Sequence, residues 1–216
     1  MKITKKTLIY GAALALIGAG LLLFSLFGTS GEDKARTSQT AREVDLTIIA
    51  FGDSLTAGYG LPASESYPAQ LEALLKEKGV SVRVVNAGVS GETTRGNLER
   101  AAFIRKQSPD IVLLGIGGND ALRMLPLEET KKNIRGTIQT LQAGEQPPVL
   151  VLLTMQGPLS AGAAYKRDFD AMYPELAREF DLIQSPFTML HPEGIRGVFN
   201  PKQIEEIFGF TQRLVA

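Results

Sequence analysis

The chain has 216 residues, and its 23 Lys and Arg residues balance 23 Asp and Glu residues. This balance leaves no overall basic field that would indicate a nucleic-acid partner. The sequence contains no cysteine, which excludes disulfides, thiolate nucleophiles and cysteine-ligated metals. Its single histidine, His191, argues against a histidine-rich metal centre. We therefore expect neither a cofactor nor a metal.

The first 27 residues are predicted to enter the membrane. Three lysines precede an uncharged stretch from Leu8 to Phe27, and about 20 apolar residues are enough to cross a bilayer as a helix. The basic flank predicts that this end stays in the cytoplasm and that the rest is exported. The stretch is then an uncleaved anchor in the inner membrane, or a signal peptide that is removed on secretion to the periplasm. Residues 28–45 are polar and lack apolar periodicity, which is typical of a flexible tether.

From Leu46 onwards, short apolar runs alternate with amphipathic segments. Four runs have the length and composition of buried strands, namely LTIIAF (46–51), VRVVNAG (82–88), DIVLLGIG (110–117) and VLVLLTM (149–155). Apolar residues at helical spacing predict four helices, around Tyr67–Leu75, Leu98–Ala102, Leu127–Leu141 and Phe169–Phe180. This alternation predicts one α/β domain over residues 46–216, with a parallel sheet that is covered on both faces.

The loops after the first three predicted strands share a polar, glycine-rich composition. They are GDSLTAGYG (52–60), NAGVSGETT (86–94) and GIGGND (115–120). Ligands of parallel α/β sheets bind at the carboxyl ends of the strands, so we expect these loops to meet at one edge and form the site. No GxxxxGK[ST] or GxGxxG motif follows the first strand, so the sequence does not support nucleotide binding.

Each loop contains a residue with a structural and a functional interpretation. Ser54 is either a cap for the turn after the first strand or a nucleophile held above the sheet. Gly91 is either a turn glycine with positive φ or a close-approach residue whose N–H meets a ligand. Asn119 is either a helix cap or a donor to an oxyanion. Asp120 is better explained as a cap or structural acceptor than as a catalyst.

The segments FGDSLTAGYG, NAGVSGETT and GGND, in this order and spacing, resemble the first three signature blocks of the GDSL, or SGNH, hydrolase family. The likeness is greatest to its bacterial periplasmic thioesterases, arylesterases and lysophospholipases, and it extends from Leu46 to about Phe187. It implies a flavodoxin-like three-layer α/β/α fold with a mostly parallel sheet, and ester or thioester hydrolysis without a metal. It also implies that Ser54 is the nucleophile, and that the backbone N–H groups of Ser54 and Gly91 form the oxyanion hole with the Asn119 side chain.

The family's fourth block, Asp-x-x-His, is missing or displaced in this chain. Thr188 stands three residues before His191, where the family has the aspartate, and the sequence from about residue 188 is atypical. One hypothesis makes His191 the base, with an acid supplied from elsewhere, such as Glu193. The other is that the C-terminal segment is altered and that His191 is an unrelated loop histidine.

These observations predict a membrane-anchored serine esterase or thioesterase of the arylesterase or lysophospholipase type, with its domain in the periplasm or outside the cell. Its expected partners are a small-molecule acyl ester or lipid substrate and, through the N-terminal helix, the membrane. Leu61 and Leu125, in loops near the predicted site, favour an apolar acyl group. The alternative is a catalytically impaired homologue that binds acyl or glycan ligands at the membrane.

Overall fold

Five β-strands form one parallel sheet in the computed structural model, which describes residues 46–186. The strand order is β2-β1-β3-β4-β5, so β2 and β3 lie on opposite sides of β1. The point where the strand order reverses is therefore between β1 and β3. The strands are β1 (Leu46–Gly52), β2 (Val82–Gly88), β3 (Ile111–Gly115), β4 (Val149–Thr154) and β5 (Ile183–Pro186). This is the flavodoxin-like order that the family resemblance implies.

Helices connect the strands and complete a three-layer α/β architecture. They are α1 (Ser54–Ala57), α2 (Tyr67–Glu77), α3 (Thr94–Lys106), α4 (Gly118–Leu122), α5 (Leu127–Gln142) and α6 (Ala163–Glu179), with 3-10 turns at Ala63–Glu65 and Leu159–Ala161. The sequence predicted the four longer helices, and the structure confirms them. Helices α1 and α4 were not predicted, because segments of four and five residues are too short to show a helical period.

The central strands are buried because they are almost continuously apolar. Every residue of β3 is buried, and Ile48, Ile49 and Phe51 of β1 are fully inaccessible. A strand that is covered on both faces needs such a run, whereas the edge strand β2 alternates between buried and exposed residues at its start. The core of the domain therefore lies along β1, β3 and β4, with the longer helices packed over it.

Helix α3 departs from the predicted apolar face. Ala101 is buried as expected, but Ala102 is exposed. The buried face includes the polar residues Thr94 and Asn97. Both polar residues bond to groups beside the loops that follow the strands, as described below. The weak apolar period of this helix therefore reflects a polar contact that hydrophobicity alone does not reveal.

Three glycines at matching positions allow helix α1 to lie directly on the strand ends. Gly52 is in register with Gly88 of β2 and with Gly115 of β3. A Cβ atom on Gly88 would lie 2.2 Å from the backbone nitrogen of Ala57, and one on Gly52 would lie 2.0 Å from Thr56 Oγ1. Larger residues at Gly52 and Gly88 would push α1 away from the sheet, so these glycines set the position of the turn that carries Ser54.

Several predictions concern segments outside the described residues. They are the membrane segment (1–27), the polar tether (28–45) and the atypical C-terminal part from about residue 188. Within residues 46–186 we find no helix whose length and hydropathy would let it cross a bilayer. The membrane anchor and the extracytoplasmic location therefore stay predictions from the sequence.

Candidate active site

The loops after β1, β2 and β3 meet at one edge of the sheet, as the sequence predicted. The N–H of Val89, in the second loop, donates to the Gly52 carbonyl at the end of β1, over 3.0 Å. The side-chain Nδ2 of Asn119, in the third loop, donates to the Glu92 carbonyl over 2.9 Å. The second loop is thus hydrogen-bonded to both of the others.

Ser54 is the first residue of α1, and its side chain is not the cap of that helix. The cap is Asp53, whose carboxylate Oδ1 accepts a hydrogen bond from the Leu55 N–H over 3.0 Å. The capping interpretation of Ser54 is therefore wrong. Ser54 is half-buried, and neither its hydroxyl nor its backbone N–H has a hydrogen-bond partner among residues 46–186. Its hydroxyl is available for chemistry.

Gly91 has the positive φ of +80° that its turn interpretation requires. Its carbonyl accepts a hydrogen bond from Arg123 Nη2 over 2.9 Å, and this fixes the orientation of the peptide between Gly91 and Glu92. Its N–H has no partner within the described part of the chain. Gly91 is exposed, so a ligand can approach that N–H, which leaves both interpretations of this glycine compatible with the structure.

Asn119 is the second residue of α4, and the cap of that helix is Gly117. The capping interpretation of Asn119 is therefore wrong as well. One hydrogen of its side-chain amide goes to the Glu92 carbonyl. An amide nitrogen carries two hydrogens, and the second has no partner among residues 46–186. Its bond to Glu92 orients this free hydrogen relative to the second loop.

Three N–H donors on the touching loops are thus left without partners among the described residues. They are the backbone N–H groups of Ser54 and Gly91 and the second amide hydrogen of Asn119. Donors that are held in place before reaction stabilise an oxygen that becomes negative in the transition state. Such a set of donors can stabilise the oxyanion that forms when a nucleophilic hydroxyl attacks a carbonyl.

Asp120 is a structural acceptor, as its sequence position suggested. Its carboxylate accepts hydrogen bonds from the Thr94 N–H over 2.8 Å and from Thr94 Oγ1 over 2.6 Å, and it is buried. Thr94 is the first residue of α3. Asp120 therefore ties the start of α3, which follows the second loop, to helix α4 of the third loop.

Two tyrosines of α6 donate hydrogen bonds to main-chain carbonyls on either side of Asn119. The buried Tyr173 hydroxyl donates to the Ile116 carbonyl over 2.9 Å, and the Tyr165 hydroxyl donates to the Leu125 carbonyl over 3.0 Å. Burial raises the pKa of Tyr173 well above its ordinary value, so its hydroxyl keeps the proton that it donates. The segment from Ile116 to Leu125, which carries Asn119, is consequently fixed at both of its ends.

Sequence reasoning did not identify Glu92 and Arg100. Arg100 is on α3, and its guanidinium bonds both to the Glu92 carboxylate and to the Gly52 carbonyl. The only signal in the sequence was the spacing of the two residues: Glu92 directly follows Gly91, and Arg100 lies eight positions further on. That spacing has no meaning until the turn between the second loop and α3 is known.

The buried carboxylate of Asp53 is electrostatically strained. Its pKa is raised from 3.8 to about 6, chiefly by burial and to a smaller extent by the negative charges of Asp120 and Glu92. The hydrogen bond from Leu55 opposes this shift. Carboxylates thus lie close to the site, but residues 46–186 contain no group of three such side chains that could hold a metal ion.

The candidate base and acid of the site are outside the described residues. His191, Glu193 and Thr188 all follow residue 186, where the described part of the chain ends. The assignment of His191 as the base stays a prediction.

A flavodoxin-like parallel sheet with a serine after β1 and N–H donors on the next two loops is the arrangement expected of a serine-dependent ester hydrolase. The model of the GDSL-like lipase/acylhydrolase family matches residues 50–199, and the chain belongs to that family.

Named relatives agree with this assignment. Thioesterase 1/protease 1/lysophospholipase L1 of Escherichia coli K12 is 38% identical over 144 residues, which cover 66% of this chain and 67% of the relative. Esterase TesA of Pseudomonas aeruginosa is 30% identical over 180 residues, covering 83% and 87% respectively. The crystal structure of AlinE4, an esterase of the SGNH-hydrolase family, superposes with a TM-score of 0.65 at 38% identity, over 79% of this chain and 94% of that one. The protein is a carboxylic-ester hydrolase.

The substitution Asp53→Asn should change how stability depends on pH. Asp53 binds its proton more tightly in the folded than in the unfolded state, so the wild type loses stability as the pH rises from about 4 to about 6. Asparagine can still accept the Leu55 hydrogen bond but carries no charge. Relative to the wild type, the variant should therefore gain about 2–3 kcal/mol in free energy of unfolding between pH 4 and pH 7. Urea denaturation at several pH values measures this, and parallel pH profiles for the two proteins would contradict the account.

Proposed function

We propose that this protein hydrolyses carboxylic esters or thioesters of apolar acyl groups, with Ser54 as the nucleophile. The observation that carries the proposal is a set of three donors that have no partner among residues 46–186, namely the N–H groups of Ser54 and Gly91 and the second amide hydrogen of Asn119. A donor that meets the oxyanion is typically worth about 2.7–4 kcal/mol of transition-state stabilisation.

The proposed reaction has two steps. The Ser54 oxygen attacks the acyl carbonyl carbon while its proton passes to a base, and the carbonyl oxygen becomes an oxyanion held by the three donors. The bond to the leaving alcohol or thiol then breaks, and the leaving group takes the proton from the base. Water attacks the acyl-enzyme in the same way, releasing the carboxylic acid and restoring the serine.

His191 is the proposed base, and the acid beside it could be supplied by Glu193. Losing the base of a serine triad lowers kcat by roughly 10⁴–10⁶-fold. Thr188 occupies the position of the family's aspartate, and this favours the second candidate function. In that case the protein is a catalytically impaired homologue that binds acyl or glycan ligands at the membrane. The two functions differ in turnover, since only the first requires Ser54.

The surface around the loops supports an apolar acyl group. Four large apolar side chains on these loops or directly after them are exposed, by 45–69% of their area, namely Tyr59, Val89, Leu122 and Met124. Leu61 and Leu125, which suggested this preference in the sequence, are half-buried beside them. The names of the relatives, which include lysophospholipase and arylesterase, agree with a substrate that has an apolar part.

Ser54→Ala should abolish covalent labelling by a serine-directed fluorophosphonate, because it removes the attacking oxygen. Wild-type labelling at Ser54, detected by mass spectrometry of the intact protein and its peptides, is the expected result.

His191→Ala should lower esterase activity by roughly 10⁴-fold or more if His191 is the base. An unlabelled wild type, or equal labelling of Ser54→Ala, would remove the nucleophile role, while unchanged activity of His191→Ala would assign the base elsewhere.

The exposed apolar residues should set the preference for acyl chain length. Met124→Asn suits the positive φ of 50° at this position, and Val89→Thr preserves shape. Each should lower kcat/KM for a p-nitrophenyl octanoate by about 2–5-fold, which corresponds to about 0.4–1 kcal/mol of apolar contact. Neither should change kcat/KM for the acetate, whose acyl group has no chain beyond its methyl to contact them.

The matched control for these variants is Phe103→Gln. Phe103 is as exposed as Met124, at 67% against 62%, but it lies on α3 rather than on the loops. This substitution should leave both esters unaffected. An equal effect of Met124→Asn on acetate and octanoate would contradict the proposed acyl contact.

A further inference from the structure

A largely buried ion pair joins the second loop to the end of β1. Arg100 Nε donates to both carboxylate oxygens of Glu92, over 2.8 and 2.9 Å, and Arg100 Nη2 donates to Oε2 over 2.5 Å. The same Nη2 also donates to the Gly52 carbonyl over 3.0 Å. The side chains are only 22% and 11% exposed for Arg100 and Glu92, so solvent screens this pair weakly.

Glu92 is held from two further directions. The buried Asn97 of α3 donates from Nδ2 to Glu92 Oε2 over 2.5 Å. The main-chain carbonyl of Glu92 accepts the amide hydrogen of Asn119. One residue therefore connects its side chain to α3 and its backbone to the third loop, and it directly follows Gly91.

Arg100 is itself restrained by the core. Its guanidinium carbon lies 4.4 Å from the centre of the Phe51 ring, and Phe51 is a fully buried residue of β1. A planar guanidinium can stack on a ring while it bonds a carboxylate and a carbonyl at once, and a lysine ammonium cannot reproduce that geometry. The contact therefore places the charge at a defined position beside β1, at a residue three positions before Ser54.

We propose that Glu92 and Arg100 act as a positioning pair for the oxyanion donors. The pair fixes the backbone at Gly91 and Glu92, and through it the Gly91 N–H and the Asn119 amide, relative to the turn that carries Ser54. This inference rests on the proposed function. Neither side chain needs to touch the substrate, because both act through Gly91 and Asn119. A displacement of about 1 Å in a catalytic group can cost roughly 10²-fold in rate.

An ion pair on the same helix offers a matched control. Arg95 and Glu99, also on α3, are one turn apart at 3.3 Å, and their side chains are 76% and 68% exposed. Exposed pairs of this kind contribute little to stability. The variants Arg95→Met and Glu99→Gln therefore repeat the chemical changes of Arg100→Met and Glu92→Gln at a pair whose side chains make no hydrogen bond to the loops among residues 46–186.

The test compares these variants in the full chain. Arg100→Met keeps an apolar stem against Phe51 but loses the donors, Arg100→Lys keeps the charge alone, and Glu92→Gln keeps the shape without the charge. The second-order rate of fluorophosphonate labelling and the kcat and KM for a p-nitrophenyl ester are measured well below each unfolding midpoint. The rates are expressed per folded molecule, which circular dichroism determines.

We expect Arg100→Met to lower the labelling rate and kcat by about 10–100-fold, with KM unchanged within about twofold. Glu92→Gln and Arg100→Lys should lie between this variant and the wild type, and the control variants should remain within about twofold of the wild type. If Arg100→Met does not fold, Glu92→Gln carries the same comparison. Combined with Asn119→Ala, Glu92→Gln should cost less than it does alone, because the part of its effect that passes through Asn119 is already lost.

Three outcomes would count against the inference, and they are distinguishable. If the wild type is labelled and the Arg100 and Glu92 variants are labelled at the same rate per folded molecule, the pair serves stability only and the proposed function stands. If the wild type itself is not labelled, the proposed function fails and the positioning role fails with it. Additive effects of Glu92→Gln and Asn119→Ala would also count against a role that acts through Asn119.

Discussion

The main-chain carbonyl of Gly52 accepts hydrogen bonds from the Val89 N–H and from the Arg100 guanidinium at the point where β1 ends. Both donors belong to the segment that follows β2, so this single oxygen fixes the second loop to the first. Because Gly52 is also in register with Gly115, the third loop starts from the same level of the sheet. The contact between the loops that carry Ser54 and Gly91 depends on this constraint.

Three carboxylates lie close to the site, and their negative charge must be compensated by neighbouring groups. Asp53, Glu92 and Asp120 are carboxylates near one another, and the elevated pKa of Asp53 reflects burial first and its negative neighbours second. Asp120 is compensated by Thr94, and Glu92 by Arg100 and Asn97. An apolar core of the same shape would avoid these desolvation costs. Polar groups at this position instead give the loops a defined geometry, which an apolar contact specifies less sharply.

The sequence predicted the parts of the fold that repeat a local pattern. The first four strands and the longer helices follow from apolar runs and helical spacing, and the glycine-rich loops follow from their position after the strands. Strand β5 could not be predicted, because IQSP has no apolar run and owes its conformation to pairing with β4. The two capping interpretations failed for a related reason. Asp53 and Gly117 begin the helices, and the side chain of Asn119 bonds to a distant carbonyl instead.

The three loops of the candidate site could be predicted from the sequence, but the contacts that hold these loops together could not. Ser54, Gly91 and Asn119 stand out in the sequence because each lies in the loop after a predicted strand, within a segment that resembles a signature block of the family. Arg100 does not stand out, because its two partners lie 8 and 48 residues away along the chain and approach it only in the folded protein. Contacts between residues that are far apart in the chain leave no periodic pattern in the sequence.

The central claim is that the hydroxyl of Ser54 and the donors on the next two loops face one reacting carbonyl. The most direct test is a crystal structure of the protein after reaction with a fluorophosphonate, whose phosphonyl oxygen occupies the place of the oxyanion. The account predicts a covalent bond to Ser54 and a phosphonyl oxygen about 2.7–3.1 Å from the nitrogens of Ser54, Gly91 and the Asn119 side chain. An adduct on another residue, or a phosphonyl oxygen directed into solvent with those nitrogens still unpaired, would contradict it.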